Sequence, residues 1–169
     1  MWANAFTTAA LVLSLSACGF QLRGHDLVNS GRLYAITGAA ANTQFAEVVR
    51  RELADVNVLT DASGSADVTI ELLSVRRQQV DGAVTAEAML LEQAVRLDVE
   101  YRVLGAGQTV ITPDQRLSRQ RYFRLDRSNL LGTAAVKEEI AAGLEQELAA
   151  QLLRNLNVLQ QSLAAADGD

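Results

Sequence analysis

The sequence predicts an α+β fold, a two-layer sandwich in which two helices pack on one face of a four-stranded mixed sheet. The prediction depends on the order of the elements, which is strand, helix, three strands, helix. It also depends on the alternation of apolar and charged residues from Val95 to Val103 and on a long apolar stripe near the C-terminus. With 49% hydrophobic residues, the composition is that of a globular domain with one core.

The first half of the domain predicts a strand, a helix and a return to the sheet. Leu33 to Ile36 is a short apolar run typical of a strand, and Val56 to Leu59 is a second extended segment. Between them, Phe45, Val48, Val49 and Leu53 have helical spacing, and Asn42 or Thr43 is suited to cap the helix. A helix that joins two parallel strands forms a crossover, which is expected to be right-handed.

Three consecutive strands are predicted to form an antiparallel meander. In the first of them, Val68, Ile70 and Leu72 alternate with polar residues before the apolar phase shifts, which indicates a bulge near Leu72. Asp81-Gly82 predicts a hairpin turn, and Gly105-Ala106-Gly107 predicts the next turn. The last strand is expected from Thr109 to Leu125, with an interruption at Pro113 that indicates a bulge or an edge position.

The C-terminal segment predicts an amphipathic helix that begins near Ser128 or Thr133 and frays beyond Asn157. Its apolar stripe consists of Val136, Ile140, Leu144, Leu148, Leu152 and Leu156. Its polar side is expected to be solvated and carries Lys137, Glu138, Glu139, Glu145 and Glu147.

The N-terminus has the features of a lipoprotein signal. An apolar run from Phe6 to Ala17 is shorter than the roughly 20 residues of a membrane-spanning helix, and it ends in Leu15-Ser16-Ala17-Cys18. This tetrad predicts cleavage before Cys18, which would then carry an S-diacylglycerol and an N-acyl chain such as palmitate. Residues 1 to 8 lack the basic residues typical of a signal, so an ordinary signal with a free thiol, or a buried N-terminal strand, stays an alternative.

These features divide the chain into four parts. Residues 1–17 are predicted to be a cleaved signal peptide, 18–31 a lipidated tether, 32–160 a single domain, and 161–169 a disordered tail. Cys18 is the only cysteine, so we expect no disulfide and no thiolate metal site.

Charge and composition argue against several functions. A net charge of −5 is not typical of proteins that bind nucleic acid or acidic membrane surfaces. The only histidine, His25, lies in the predicted tether, and Gly105-x-Gly107 is not followed by the helix of a dinucleotide site. We therefore expect no catalytic residues, no metal and no cofactor apart from the covalent lipid, and a protein that is not an enzyme.

Arginines near the last strand are the candidate site. Of the 15 basic residues all but Lys137 are arginine, and five of these arginines lie between Arg116 and Arg127. A guanidinium binds phosphate through a planar fork of donors, and Phe123 and Leu125 offer apolar surface for acyl chains. The predicted ligand is an anionic amphiphile, and the candidate ligand-binding residues are Arg76, Arg77, Arg116, Arg119, Arg121 and Arg124.

Two alternatives to a ligand site stay open for these arginines. Arg119 and Arg121 would pair with Asp98 or Glu100 across the sheet, or they would only protect an edge strand from aggregation.

The opening of the predicted mature chain, Cys18-Gly19-Phe20-Gln21-Leu22-Arg23-Gly24, resembles that of the LPS-assembly lipoprotein LptE family. Further landmarks follow in the order of the family: Val48-Val49-Arg50-Arg51-x-Leu53, Asp81-Gly82 leading through Thr85-Ala86-Glu87 into a strand, Arg121-Tyr122-Phe123, and Leu152-Leu153-Arg154-Asn155-Leu156. The resemblance extends from Cys18 to about Leu156.

This resemblance implies an outer-membrane lipoprotein on the periplasmic side that plugs an LptD-type β-barrel, assists its assembly and binds lipopolysaccharide during insertion into the outer leaflet. Gly19 after the cysteine fits outer-membrane sorting. The family's basic residues for lipopolysaccharide lie on the last strand, which corresponds to Arg119 and Arg121, and near the turn between strands two and three. That turn lacks a basic residue here, and the nearest are Arg76 and Arg77.

Two other functions stay open from the sequence. One is a lipid-binding accessory lipoprotein of an envelope transporter without a barrel partner, and the other is a lipid-anchored enzyme.

Overall fold

The computed structural model describes residues 31–61, 63–82, 92–124 and 130–166. These residues form four strands and two helices in the order β1, α1, β2, β3, β4, α2, with two short 3-10 turns at Ser63–Ser65 and Ala106–Gln108. The bounds are β1 Tyr34–Thr37, α1 Gln44–Asp55, β2 Val68–Asp81, β3 Glu92–Gly105, β4 Gln115–Arg124 and α2 Leu130–Ala166.

The four strands form one mixed sheet in the order β1-β2-β3-β4. β1 and β2 are parallel and joined through α1, whereas β2, β3 and β4 form an antiparallel meander. The predicted α+β sandwich is therefore confirmed. Backbone hydrogen bonds from Tyr34 to Val58 and from Thr60 to Tyr34 place the extended segment after α1 beside β1.

The start of α1 is fixed by its cap and by the tight loop before it. The Thr43 side chain accepts a hydrogen bond from the Ala46 amide, which satisfies one of the free donors of the first turn. Gly38 lies in the loop at φ +99°, where a β-carbon would come within 2.4 Å of the Leu72 carbonyl oxygen. This close approach brings the loop against β2 and positions α1 over the sheet.

The meander confirms one predicted irregularity and corrects another. The β2–β3 register shifts between Leu72 and Ser74, as the change of apolar phase indicates. The predicted turn at Asp81-Gly82 is wrong, because Asp81 still pairs with Gln93 and the Gly82 amide donates to the Glu92 carbonyl. Residues 83–91 of the connection, including the Thr85-Ala86-Glu87 landmark, lie outside the described residues.

The last strand is an edge strand that begins later than expected. β4 starts at Gln115 rather than Thr109, because Pro113 precedes it and cannot donate to a ladder. Its partner is β3 alone among the described strands, so the predicted edge position is confirmed.

The C-terminal helix is longer than the sequence indicates. α2 continues to Ala166, and fraying beyond Asn157 is wrong because Leu159 packs against the core and Gln160 is buried. Five residues of the predicted stripe are buried, whereas Val136 is 42% exposed.

Both helices cover one face of the sheet, which we call the helix face. Alternate residues of β2, β3 and β4 form one apolar cluster with α1 and α2; they include Ile70, Leu72, Val95, Leu97, Val99, Tyr101, Val103, Leu117 and Phe123. The opposite side, here the open face, presents the charged residues that alternate with them.

Candidate functional site

The six candidate arginines divide between the two faces of the sheet. Across the strands, Arg77 is opposite Leu97, and Leu97 is opposite Arg119. Because residues opposite each other share a face, these arginines lie on the helix face, and so does Arg121 opposite Val95. The other three lie on the open face: Arg76, Arg116 and Arg124. The six therefore do not form one patch.

On the helix face, the arginines surround a buried apolar centre. Val95 and Leu97 are almost fully buried, and the exposed Arg119 and Arg121 border them on β4. Arg77 borders Leu97 from β2. This arrangement agrees with the predicted interleaving of guanidinium and apolar groups on one face.

The first half of α2 adds charges of both signs to this group. Glu138 accepts a hydrogen bond from Arg77 at 3.0 Å, and Glu147 pairs with Arg121. Lys137 donates to the Gln79 side chain at 2.5 Å. A shallow depression of about 200 Å³ lies between the strands and the helix, lined by Arg77, Gln78, Gln79, Val95, Lys137 and Glu138.

We call Arg77, Arg119, Arg121 and Lys137 the helix-side basic cluster. In the part of the chain that the structure describes, the guanidinium of Arg119 has no ion-pair partner. The two paired arginines stay accessible, with side chains 47% and 49% exposed. The cluster therefore offers one unpaired and two solvent-accessible guanidinium groups beside apolar surface.

Glu145 lies beneath this cluster and is not solvated, contrary to the sequence prediction. The residue is buried, and its Oε2 has no hydrogen-bond partner. Burial raises the pKa of Glu145 above its usual value, Arg77 opposes this shift, and Glu138 adds to it. Glu138 and Glu147 are solvent-accessible, as expected for the polar side of α2, and each also pairs with an arginine of the sheet.

The open face is organised around Asp98 in the centre of β3. Its carboxylate, 8% exposed, accepts hydrogen bonds from Arg96 at 3.0 Å and Arg116 at 3.2 Å. Burial alone would raise the pKa of Asp98, but hydrogen bonds from Ser118, Arg96 and Arg116 outweigh it, so the pKa is lowered. Arg116 therefore already has a partner.

The other open-face arginines differ in how closely a carboxylate approaches them. Arg76 lies 3.8 Å from Glu100, and Arg102 pairs with Glu71 at 2.6 Å. Arg124 is opposite Glu92 in register, and the described residues give it no ion pair.

The proposed pairing of Arg119 and Arg121 with Asp98 or Glu100 is wrong. Asp98 and Glu100 lie on the open face, where they contact Arg96, Arg116 and Arg76. Arg119 and Arg121 lie on the other face, and the acidic partner of Arg121 comes from α2. The strand period assigns these residues to faces correctly, but it does not show which helix covers a face.

Sequence reasoning missed two members of these networks. The helical pattern places Lys137 on the solvated side of α2, whereas in the structure it contacts Gln79 of β2; its one distinguishing signal is that it is the only lysine in the sequence. The alternation of β3 marks Arg96 only as a polar residue, and no local signal identifies it as a partner of Asp98.

The lipidation site cannot be placed in the fold. Cys18, His25 and the predicted tether as far as residue 30 lie outside the described residues. None of the helices described has the length and apolar character required to cross a membrane.

Solved bacterial lipoproteins share this fold. Rare lipoprotein B from Shewanella oneidensis aligns with a TM-score of 0.68 at 15% identity, covering 78% of this chain and 98% of that one. Lipoprotein B from Nitrosomonas europaea gives 0.66 at 19% identity, covering 85% and 93%. A minor lipoprotein from Acinetobacter baumannii gives 0.58 at 17% identity, covering 75% and 91%.

Sequence comparison adds no further relative. No family model matches the chain, and no curated protein matches it. At these identities the structural likeness shows the fold.

Proposed function

We propose that this chain is a lipoprotein of the LptE family, anchored through Cys18 to the periplasmic side of the outer membrane. In this role it occupies an LptD-type β-barrel, assists its assembly and binds lipopolysaccharide as the lipid moves to the outer leaflet. Support comes from the Cys18 to Gly24 opening and from a fold shared with three solved lipoproteins. We propose a binding role rather than an enzymatic one.

The helix-side basic cluster is the observation that carries the ligand part of the proposal. An acidic chain places four basic side chains around the apolar residues Val95 and Leu97. Among the described residues, the guanidinium of Arg119 there has no ion-pair partner. Lipid A combines phosphates with acyl chains, so charge and apolar surface at one site match its chemistry. Arginine forks bind phosphate through paired, charge-assisted hydrogen bonds.

Binding at this cluster would loosen aggregated lipopolysaccharide. Divalent cations bridge the phosphates of neighbouring molecules, and guanidinium groups compete for the same oxygens. No covalent bond is made or broken. Acyl chains on Cys18 would hold the domain at the membrane, since each buried methylene contributes about 0.8 kcal/mol and several chains anchor stably.

A pull-down tests the partner. The full chain with a C-terminal tag is purified from detergent-solubilised outer membrane, alongside a Cys18→Ala variant as the mislocalised control. We expect a stoichiometric large β-barrel with the wild type and its loss with the variant. Recovery of the wild type without any barrel protein would reject the barrel role and favour a lipid-binding accessory lipoprotein.

A binding assay tests the ligand. Arg119→Gln/Arg121→Gln is compared with the wild type for lipopolysaccharide binding and dispersal of aggregates. Arg51→Gln/Arg154→Gln, which removes two exposed helical arginines, is the matched control for net charge. We expect weaker binding, by about tenfold, only for the β4 pair, since each charged contact contributes roughly 1 kcal/mol or less at a half-exposed site. Equal binding by all three proteins would reject this site.

A further inference from the structure

We infer that Glu138 and Glu147 of α2 are internal counter-anions of the helix-side basic cluster, and that a phosphate-bearing ligand binds by exchange for these carboxylates. The ligand class is a phosphorylated glycolipid headgroup. This inference rests on the proposed binding of lipopolysaccharide and adds a regulatory contact within the same site.

The geometry of the two ion pairs supports exchange. Each joins a strand to the helix that covers it: Arg77 of β2 pairs with Glu138, and Arg121 of β4 pairs with Glu147. The carboxylate side chains are 69% and 46% exposed, so water and solutes reach both pairs. Neither pair is therefore a buried structural bridge, and both can open without unpacking the core.

Arg119 gives a ligand its first contact. It lies on the edge strand β4, in the same row of the sheet as Arg77 and two residues before Arg121. Its guanidinium is exposed and has no ion pair in the described chain. A phosphate that binds Arg119 comes next to Arg121 on the same strand and to Arg77 beyond Leu97. These neighbouring guanidinium groups then become alternative partners for its remaining oxygens.

Differences in charge and geometry favour the phosphate. An exposed carboxylate–arginine pair contributes little, because water screens it and two side chains lose freedom. A phosphate monoester carries up to two charges and three acceptor oxygens, so one group satisfies several guanidinium forks. Lys137, whose ammonium donates to the neutral Gln79 side chain, adds a cation on the helix side.

Without a ligand, the carboxylates have a separate role. Arg77 and Lys137 border a depression on the domain surface, and Arg121 is exposed on the same face of the sheet. Uncompensated positive charge there would attract any anion. Glu138 and Glu147 reduce this attraction, so only a ligand with enough charge to displace them binds. The two ion pairs thus select for ligands that carry more negative charge than a single carboxylate.

Near-isosteric substitutions that remove a single carboxylate charge test the exchange. Full-chain protein in a non-ionic detergent is titrated with lipopolysaccharide, with enzymatically dephosphorylated lipopolysaccharide, and with inorganic pyrophosphate. The variants are Glu138→Gln, Glu147→Gln and the double substitution. Glu139→Gln, which removes an exposed carboxylate without a described ion pair from the same helix, is the matched control.

We expect each single substitution to tighten lipopolysaccharide binding by about threefold and the double substitution by about tenfold, the range for half-exposed pairs. The gain should be absent for dephosphorylated lipopolysaccharide and for Glu139→Gln. When Arg77→Gln is already present, adding Glu138→Gln should not tighten lipopolysaccharide binding. If Glu138→Gln acted through general stability instead, it would tighten binding with or without Arg77. If the glutamate variants also bind pyrophosphate more tightly, the phosphate group alone is enough for the exchange. If they bind only lipopolysaccharide more tightly, the exchange needs the whole phosphorylated headgroup.

Two results would overturn the inference. One is lipopolysaccharide binding by the wild type that none of the glutamate variants changes; the proposed function would then stand without the exchange. The other is an equal gain with Glu139→Gln or with dephosphorylated lipid. Absence of lipopolysaccharide binding in the wild type would instead reject the proposed ligand itself.

Discussion

Asp98 on the open face offers a direct test of how the sheet is stabilised. The substitution Asp98→Ala removes a buried carboxylate that accepts hydrogen bonds from Arg96 and Arg116. Hydrogen bonds to charged groups contribute about 1.5–3 kcal/mol each when buried. The two arginine side chains are 37% and 58% exposed, so water recovers part of the loss.

We therefore expect Asp98→Ala to lower the free energy of unfolding by about 2–3 kcal/mol. For a chain of this size, such a loss corresponds to a fall in Tm of roughly 5–10 °C. Thermal and urea unfolding followed by circular dichroism measure both quantities. Glu100→Ala is the matched control on the same strand, since Glu100 is 35% exposed, lies 3.8 Å from Arg76 and accepts one side-chain hydrogen bond, from the Ser74 hydroxyl at 2.9 Å. It should lower the free energy of unfolding by less than about 1 kcal/mol.

The pH dependence of unfolding gives a second, independent test of the role of Asp98. Hydrogen bonds lower the pKa of Asp98 in the folded protein below its usual value of 3.8. Its contribution to stability is therefore present above pH 3.8 and is lost as the pH falls through the folded-state pKa. The difference between wild type and Asp98→Ala should shrink on acidification through this range. A single net hydrogen bond contributes about 1 kcal/mol, so a loss of stability under about 0.5 kcal/mol at neutral pH would refute the reasoning. A difference between the two proteins that does not change with pH would also refute it.

Three further predictions concern α1, its loop and α2. Gly38→Ala should lower the free energy of unfolding by more than about 2 kcal/mol, because a β-carbon would lie 2.4 Å from the Leu72 carbonyl oxygen. Gly107 lies in open space at φ +70°, so Gly107→Ala should lower the free energy of unfolding by only about 1 kcal/mol. Urea titration measures both. Thr43→Ala should lower the free energy of unfolding by about 1 kcal/mol, because it removes the helix cap. Thr43→Ser keeps the capping hydroxyl and should retain most of this stability. Burial raises the pKa of Glu145, so the stability linked to its neutral form is present below the unfolded-state pKa and is lost as pH rises through the folded-state pKa. Glu145→Gln should therefore abolish this part of the pH dependence of unfolding, and an unchanged pH profile would contradict the burial.

Local signals in the sequence account for much of the fold. The spacing from Phe45 to Leu53 and the side chain of Thr43 define α1, because helix periodicity and capping are properties of neighbouring residues. The phase shift after Leu72 likewise identifies a bulge that the register confirms. Each of these features depends on residues a few positions apart.

Features that depend on distant residues were not predictable in this way. Asp81-Gly82 has the composition of a tight turn, but strand pairing continues through Asp81 because β3 supplies Gln93 as its partner. The predicted apolar stripe of α2 ends at Leu156, yet the helix continues, and Leu159 packs against the core. Glu145 has the local pattern of a surface residue, and only the packed fold shows that it is buried.

The candidate site shows the same limit with a functional consequence. Strand alternation correctly separates Arg119 and Arg121 from Arg116 and Arg124, but it does not reveal that α2 covers the face of the first pair. On the open face, Arg116 is held by the buried Asp98, and releasing it would leave a buried carboxylate with fewer donors. On the helix face, the partner of Arg121 is itself 46% exposed, so the carboxylate is resolvated when the pair opens. Arginine in the first setting is committed to the structure of the sheet, whereas arginine in the second stays accessible to solvent. This difference is why we propose the helix face, and not the open face, as the site for an anionic ligand.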